Sequence, residues 1–215
     1  MLNWTEIDTV LLDMDGTLLD LHFDNYFWQT HLPQRYAEHH NLAFEPAKTH
    51  LMSRFREKMG TLEWYCTDYW TAQLGVDITV LKEEVAHLIQ LRADVIIFLE
   101  MLHSLRKRVI LVTNAHPKTL ALKMRFIPLH KHFDRMLTSH EIGLPKEASE
   151  FWQSLQQHEP FVSARTLLID DSIPVLQSAA RYGIKHLLEI LQPDTKIPAK
   201  IAHEFPAIHQ FHEIM

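Results

Sequence analysis

The sequence predicts an α/β protein, with a Rossmann-like, doubly wound parallel sheet and an all-helical module inserted after its first strand. Two observations support this prediction. In the second half of the chain, short apolar runs alternate with amphipathic helical segments, and residues 20–108 carry no convincing strand pattern. Strands that alternate with helices indicate βαβ units, which place their strands in parallel.

Each predicted strand is a short apolar run with polar or turn residues at its ends. Such runs are typical of strands that are buried on both faces of a parallel sheet. The predicted strands are residues 9–13, 108–113, 135–139, 166–170 and 185–190. Helices are predicted between the later strands, at residues 117–124, 147–157 and 173–182. Two of these helices begin near a proline, which suits the first helical turn.

The long segment between the first two strands reads as helical throughout. Helices are predicted at residues 23–40, 45–59, 62–74, 77–91 and 94–105. We expect the first four to form a small module and the fifth to return to the sheet. The predicted domains are therefore a core of residues 1–20 plus 93–215 and a helical domain of residues 21–92. The proline-rich tail from Gln192 is expected to wrap over the surface, and segment 124–132 receives no functional assignment.

Composition excludes several classes of protein. With only 5 glycines in 215 residues, neither common glycine-rich phosphate-binding loop occurs. A single cysteine, Cys66, excludes both an internal disulfide and a cysteine-based zinc site. Together with the absence of a signal-peptide pattern, it favours a cytoplasmic setting. The chain contains no apolar run long enough to predict a membrane span. Its net charge of −6 disfavours a nucleic-acid polymer as partner.

Histidine is abundant, with 16 residues in the chain. They are scattered from His22 to His212, and only two pairs lie close together in sequence. We therefore expect solvated surface histidines rather than a metal site. Half of them would be charged near their ordinary pKa of about 6.5, so the net charge should depend strongly on pH near neutrality.

Polar side chains follow four of the predicted strands at the point where each strand ends. Asp13 and Asp15 follow the first, Thr113 and Asn114 the second, Lys146 the third, and Asp170 and Asp171 the fourth. Taken singly, each has an ordinary structural explanation: a turn, a helix cap or a surface lysine. The carboxyl ends of parallel strands, however, meet at one sheet edge, where ligands bind. Neighbouring carboxylates resist joint ionisation unless a cation intervenes, so the set indicates a Mg²⁺ site.

In this order and spacing, the strand-end residues resemble the four motifs of the haloacid dehalogenase-like phosphatase superfamily. The first motif is Asp13-Met-Asp15-Gly16-Thr17, and the resemblance covers essentially the whole chain. The inserted helices are similar to the all-helical cap domain of the first type in that superfamily. Segments 11–28, 64–70 and 113–117 are similar to its GMP/IMP 5′-nucleotidases.

The resemblance implies a role for each motif residue. Asp13 would attack phosphorus and form an aspartyl-phosphate, and Asp15 would act as general acid and then as general base. Lys146 would neutralise the phosphate. The remaining contacts to the phosphoryl group would come from the following residues: Thr113, Gly16, Thr17, Asn114 and the Asp15 amide. Mg²⁺, replaceable by Mn²⁺ or Co²⁺, would be held by Asp13, the Asp15 carbonyl and Asp171, with Asp170 nearby or exchanging roles with Asp171.

Substrate specificity is expected to lie in the inserted helices, which are rich in aromatic residues. Four of them cluster in sequence: Trp64, Tyr65, Tyr69 and Trp70. One or two would stack on a purine, or all would only build the core of a small module. Asn25, Asp68 and Arg54 are candidate polar contacts to the base or ribose.

The expected activity is Mg²⁺-dependent hydrolysis of a small phosphate monoester, with IMP or GMP as the leading substrates. Two alternatives stay open within catalysis: a sugar-phosphate or phosphoglycolate phosphatase, and a phosphoglucomutase-like enzyme. A non-catalytic phosphate-binding module is a third. Neither a nucleic-acid polymer nor a membrane is an expected partner, and the sequence leaves open the oligomeric state and the preferred nucleotide.

Overall fold

The strands of this computed structural model, which describes residues 2–202 and 204–215, form one sheet. They are β1 (Thr9–Leu12), β2 (Arg108–Thr113), β3 (Arg135–Thr138), β4 (Thr166–Asp170), β5 (His186–Ile190) and β6 (Ala207–Ile208). Within the described ranges, their order is β3-β2-β1-β4-β5-β6, and every neighbouring pair is parallel. The predicted fold class is confirmed.

β1 lies at the centre of the sheet because all four of its residues are apolar or small and can be buried. Val10 is in register with Val109 of β2 and with Leu167 of β4. Alternate residues of these strands face opposite sides, so Val10 and Leu11 belong to two different apolar clusters. Both faces of the sheet are therefore covered, as a doubly wound arrangement requires.

The segment between β1 and β2 is helical, as predicted. It contains α1 (His22–Tyr26), α2 (Leu32–His40), α3 (Phe44–Lys58), α4 (Leu62–Tyr65), α5 (Thr67–Leu74) and α6 (Ile78–Glu84). A π-helical turn, Phe27–His31, joins α1 to α2, and a 3-10 turn, Ala86–Leu88, follows α6. Two predicted helices were too long. The one at 62–74 is interrupted at Cys66, whose backbone is extended, and the one at 77–91 ends at Glu84 as a regular α-helix.

Outside the inserted segment, the described residues form five further α-helices. They are α7 (Val95–Ser104), α8 (Pro117–Phe126), α9 (Ser139–Ile142), α10 (Phe151–His158) and α11 (Ile173–Tyr182). α8 and α11 each have a proline in the first turn, where the missing amide hydrogen costs nothing. Gly183, with φ of 100°, ends α11 in the left-handed conformation that glycine adopts readily.

The tail is more than a surface wrap, and that part of the prediction was wrong. β6 extends the sheet beyond β5, and Phe211 and Ile214 are buried in the core. The tail also contacts both connections to the inserted helices. On the outgoing connection, Asn25 Nδ2 donates to Asp194 Oδ2 at 2.8 Å. On the return connection, Arg92 Nη2 donates to the His209 carbonyl at 2.8 Å.

Two further observations bear on the sequence predictions. No helix within the described residues is long and apolar enough to cross a membrane. The expectation of solvated histidines is wrong for His116 and His132, which are 9% and 7% exposed. His116 lies in the loop between β2 and α8, where the helix packs it against the inserted segment.

Candidate active site

A cavity of about 860 Å³ lies between the carboxyl ends of the strands and the inserted helices. Its floor is formed by the strand-end residues Asp13, Asp15, Thr113, Asn114, Lys146, Asp170 and Asp171. Its opposite wall includes Asn25, Trp28, Trp64 and Tyr65 from the inserted helices. The topology therefore brings together the polar residues that follow four separate strands, as the sequence predicted.

Three carboxylates and one lysine form the centre of this floor. Oxygen atoms of Asp13, Asp170 and Asp171 lie within 4.8 Å of one another. The Lys146 ammonium is buried and donates to Asp13 Oδ1 at 2.5 Å and to Asp170 Oδ2 at 2.7 Å. It also donates to the Val112 carbonyl at 3.1 Å, which fixes the lysine to the end of β2.

The carboxylates of this cluster are short of positive charge. Burial raises the pKa of Asp13 to about 6, against the attraction of Lys146. Burial and the neighbouring charges of Asp170 and Asp13 raise the pKa of Asp171 well above its usual range. Burial alone would lower the pKa of Lys146, but Asp13 and Asp170 raise it. One lysine against three carboxylates leaves a formal charge of −2, which a divalent cation would neutralise.

The donor set fits Mg²⁺. It consists of carboxylate oxygens, which this hard cation prefers, and they converge at one point of the cavity floor. Gly16 keeps the space beside them free. Its φ of 91° is left-handed, and a Cβ at this position would lie 2.7 Å from Asp171 Cγ. A larger residue would displace the Asp171 carboxylate.

A second group of buried charges lies on the side of the cavity next to the inserted helices. The Lys123 ammonium, from α8, donates to Asp15 Oδ1 at 2.5 Å and also to Asp24 of α1. Lys82, from α6, donates to Asp24 Oδ1 at 2.7 Å. Both lysines are at most 2% exposed. This chain of contacts links the second motif carboxylate of the core to the inserted helices.

The two lysines affect the two carboxylates differently. Burial raises the pKa of Asp15 to about 6, although Lys123 opposes the rise. Burial alone would raise the pKa of Asp24, but Lys123 and Lys82 together lower it well below the usual range. Asp24 is therefore a fixed negative charge, whereas Asp15 can exchange a proton near neutral pH.

The sequence predictions missed Lys123, Asp24 and Lys82. A signal was present for both lysines. Lys123 follows Leu120 by three positions and Thr119 by four, which places it on the buried face of α8. Lys82 follows the buried Ile78 by four positions in the same way. A lysine on the buried stripe of an amphipathic helix requires a charged partner.

Thr113 and Asn114 lie on the floor beside Lys146. Thr113 Oγ1 accepts from the Ala115 amide at 3.0 Å, and Asn114 Oδ1 accepts from the Lys146 amide at 2.9 Å. Asn114 Nδ2 donates to Glu147 Oε2 at 3.0 Å, and the Tyr65 hydroxyl donates to the other Glu147 oxygen. Asn114 thus positions Lys146 and joins the floor to the aromatic wall.

The remaining predicted residues divide into two groups. Trp64 and Asn25 line the cavity, and Trp64 stacks on Trp28 with ring centroids 5.9 Å apart. Gly16 and Thr17 are not among the lining residues, because Gly16 packs behind Asp171 and Thr17 is fully buried.

Asp68 and Arg54 are not brought to the cavity. Asp68 is 55% exposed and pairs with Lys118 at 2.6 Å, whereas Arg54 binds Gln73. Trp70 is buried in the core and lies edge-on to Phe55, so it builds the inserted module.

Comparison with known proteins identifies the family. The family description "haloacid dehalogenase-like hydrolase" matches residues 7–183. The chain belongs to this family of hydrolases. It is also 40% identical over 212 residues to the GMP/IMP nucleotidase YrfG of Escherichia coli, a match covering 99% of this chain and 96% of that protein. The YrfG protein of Shigella flexneri matches equally well.

Solved structures share the fold of this hydrolase. A HAD phosphatase from Thermococcus onnurineus superimposes with a TM-score of 0.78 at 19% identity, covering 97% of this chain and 96% of the other. An L-2-haloacid dehalogenase from Xanthobacter autotrophicus superimposes with a TM-score of 0.60 at 14% identity, covering 88% and 80%. The HAD-hydrolase YfnB of Bacillus subtilis, solved bound to magnesium, gives a TM-score of 0.65 at 20% identity, covering 97% and 96%.

Proposed function

We propose that this hydrolase is a Mg²⁺-dependent 5′-nucleotidase that releases phosphate from purine nucleoside monophosphates. The observation that carries the proposal is the separation of the two motif carboxylates. Asp13 lies in the cation-deficient cluster with Lys146, whereas Asp15 contacts Lys123 on the opposite side. The relatives at 40% identity, which are GMP/IMP nucleotidases, support the choice of substrate.

Asp13 has the surroundings of a nucleophile. It is nearly buried and is held by Lys146, so its second oxygen can attack the phosphorus of a bound monoester. The new bond is an Asp13 Oδ–phosphorus bond, and the bond that breaks joins phosphorus to the ribose oxygen. Mg²⁺ held by Asp13, Asp170 and Asp171 would offset the repulsion between this carboxylate and the phosphate dianion.

Asp15 has the surroundings of an acid and base. A pKa raised to about 6 lets the carboxyl hold a proton closer to neutral pH than an ordinary aspartic acid does. The protonated form gives that proton to the departing ribose oxygen, and the ionised form then takes a proton from the water that attacks the aspartyl-phosphate. Halide displacement needs no proton for its leaving group, so this second carboxyl favours a phosphate ester over a haloacid as substrate.

The wall formed by the inserted helices suits a planar base. Trp28 and Trp64 both line the cavity, and their stacked rings present an aromatic surface opposite the carboxylates. A base that stacks on an aromatic side chain gains about 1–3 kcal/mol. On this proposal, residues 21–92 act as a cap domain over a core of residues 1–20 and 93–215, and Asn25 supplies a polar contact at the cavity wall.

A panel of phosphate monoesters tests the proposed activity. Phosphate release is measured with IMP, GMP, AMP, CMP, glucose 6-phosphate, β-glucose 1-phosphate and phosphoglycolate, with Mg²⁺ or with a chelator. We expect Mg²⁺-dependent release that is fastest with IMP or GMP and absent in Asp13→Asn. A profile led by the sugar phosphates or phosphoglycolate would replace the nucleotidase proposal. Binding without turnover of any compound would contradict a phosphatase.

The Trp64→Leu variant tests the base site separately. Loss of stacking should raise KM for IMP by about 5-fold to 150-fold, the equivalent of 1–3 kcal/mol. KM for glycerol phosphate, which has no ring to stack, should not change and serves as the control. Equal increases for both substrates would show that the variant has disturbed the floor of the cavity and that Trp64 does not recognise the base.

A further inference from the structure

A cluster of one cysteine and two histidines lies apart from the carboxylates of the cavity floor. Cys66 lies between α4 and α5, His116 lies directly before α8, and His140 lies in α9. One ligand atom from each lies within 4.8 Å of the other two. The rings of His116 and His140 meet edge to face, with centroids 4.7 Å apart. Three strong transition-metal ligands thus converge from distant parts of the sequence.

His140 is the member of the cluster that most needs a partner. Both of its ring nitrogens are buried, and neither has a hydrogen-bond partner among the described residues. A buried polar atom without a partner costs about 1–3 kcal/mol, and such atoms are rare in folded proteins. A metal ion would satisfy one of the two nitrogens at the point where Cys66 and His116 also converge.

His116 has one tautomer that leaves a ring nitrogen free for a metal. Its Nδ1 lies 2.9 Å from the Thr67 hydroxyl, and its Nε2 lies 3.8 Å from Asp68 Oδ2. A histidine that binds a metal through one nitrogen usually donates its other N–H to an oxygen. With Nδ1–H donating to Thr67, the Nε2 lone pair is free for a metal. In that tautomer, His116 Nδ1 keeps its contact with the Thr67 hydroxyl at 2.9 Å. It no longer accepts the hydrogen bond from the Lys118 amide at 3.3 Å.

The protonation states also suit metal binding. Burial lowers the pKa of His140 to about 4 and lowers the pKa of His116, so both rings are neutral at pH 7, the form that binds metals. Cys66 Sγ accepts a hydrogen bond from the Tyr69 amide at 3.3 Å, at the start of α5. The same amide would donate to a metal-bound sulfur.

We propose that Cys66, His116 and His140 form a transition-metal site that joins the inserted helices to the edge of the sheet. One sulfur and two imidazole nitrogens favour Zn²⁺ and disfavour Mg²⁺, which prefers oxygen ligands. Binding releases the thiol proton to solvent. This proposal departs from the sequence prediction, which excluded a cysteine-based zinc site because the chain has one cysteine and treated the histidines as solvated. His116 also lines the cavity, so the tests of this site measure metal binding and not nucleotidase activity.

Cobalt provides a direct test, because a Co²⁺–thiolate bond gives a charge-transfer absorption that carboxylate ligands do not give. Metal-free Asp171→Asn protein is titrated with Co²⁺, so that the oxygen site contributes little. We expect the charge-transfer band to saturate at one Co²⁺ per chain and to disappear when Zn²⁺ is added. Absence of the band would overturn the proposal.

Two matched variants distinguish a metal site of three ligands from a metal ion bound by the Cys66 thiol alone. Cys66→Ser keeps a side chain that caps α5 but removes the sulfur, so the band should vanish while the helix remains. His140→Leu removes both unpartnered nitrogens, so the metal-free protein should unfold at the same temperature as the parent or higher, with Zn²⁺ affinity reduced at least about 10-fold. A full band with unchanged affinity in His140→Leu would show that Cys66 binds the metal alone and would overturn the proposal.

The Thr67→Val variant gives a graded result. Loss of the hydroxyl that accepts from His116 should weaken Zn²⁺ binding by about 10-fold to 100-fold without abolishing the band. Mg²⁺-dependent stabilisation of the same variant, which depends on the carboxylates, should be unchanged. Unchanged Zn²⁺ affinity in Thr67→Val would show that His116 does not bind through the nitrogen opposite Thr67 and would contradict the proposed geometry.

Discussion

Two buried lysines, Lys146 and Lys123, contact the two motif carboxylates of one cavity, yet the charge balance around them differs. Lys146 contacts Asp13 and Asp170 and lies in a cluster that also includes Asp171, so one positive charge faces three negative charges. The group of Lys123 also contains Lys82, Asp15 and Asp24, with two charges of each sign.

On the proposed function, this difference determines which of the two clusters binds the cation. The Lys146 cluster has a formal charge of −2, and burial together with repulsion from Asp170 and Asp13 raises the pKa of Asp171. The Lys123 cluster has no formal charge, and its two lysines lower the pKa of Asp24. Both clusters are buried, so depth alone does not create a metal site. A deficit of positive charge among converging oxygens does.

The largest expected effect comes from Asp13, the proposed nucleophile of the cation-deficient cluster. Asp13→Asn keeps the shape of the side chain but removes the attacking carboxylate, so kcat for IMP should fall by at least about 10³-fold. Steady-state phosphate release measures this, with circular dichroism as the control for folding. A loss smaller than tenfold would contradict the role of Asp13.

Divalent metal should stabilise one cluster and not the other. For the wild type, Mg²⁺ at 100 times its Kd should raise the free energy of unfolding by about 2.7 kcal/mol. Asp171→Asn should lose most of this gain because it removes one ligand and part of the repulsion. Lys123→Met should keep it. Urea unfolding with and without Mg²⁺ provides the measurement, and equal gains in the two variants would contradict the charge comparison.

Lys123 should control the pH at which Asp15 works as an acid. Its positive charge lowers the pKa of Asp15, so removing it in Lys123→Met should raise that pKa further. Protonated Asp15 is then present up to higher pH, and the alkaline limb of kcat/KM should move upward by about one pH unit. Lys82→Met, which contacts Asp24 and not Asp15, is the matched control and should move the limb less. A downward shift in Lys123→Met would disprove this role.

The smallest effect is expected outside both clusters. Asp68 is more than half exposed and its partner Lys118 is also exposed, so Asp68→Asn breaks only a solvent-screened ion pair. KM for IMP should change by less than about twofold. A large increase in KM would show that Asp68 reaches the substrate, as the sequence first suggested.

The parts of the site that could be predicted have a signal within one segment of the sequence. The other parts depend on how separate segments pack together. That Asp13, Thr113, Lys146 and Asp171 lie together could be predicted because each ends or follows an apolar strand, and parallel strands end at one edge. Lys123 contacts Asp24 only because α8 packs beside the inserted helices. No pattern within a single segment predicts that α8 packs beside the inserted helices. A lysine on a buried helical face indicates only that it has some partner.

The same argument covers the elements of the fold. The long helices and buried strands have clear periodicity, whereas β6 has two residues and directly follows Pro206, so no strand pattern marks it. No proline or glycine in the sequence marks the helix break at Cys66. The Cys66, His116 and His140 cluster was also unpredictable, because its members come from three separate loops and helices.

The contacts of the tail have a mechanical consequence. The inserted helices are joined to the sheet by two crossing points of the chain, which pair with each other where the Asp20 amide donates to the Gln90 carbonyl at 2.9 Å. Asp194 holds Asn25 at the first crossing, and the His209 carbonyl holds Arg92 at the second. The tail therefore connects the two ends of the inserted segment to each other. A protease cut in the exposed stretch 197–202 would separate the Asp194 contact from the His209 contact and so loosen the cavity wall that Asn25 lines. The stretch also includes Lys200, whose ammonium donates to the Asp171 carbonyl at 2.7 Å.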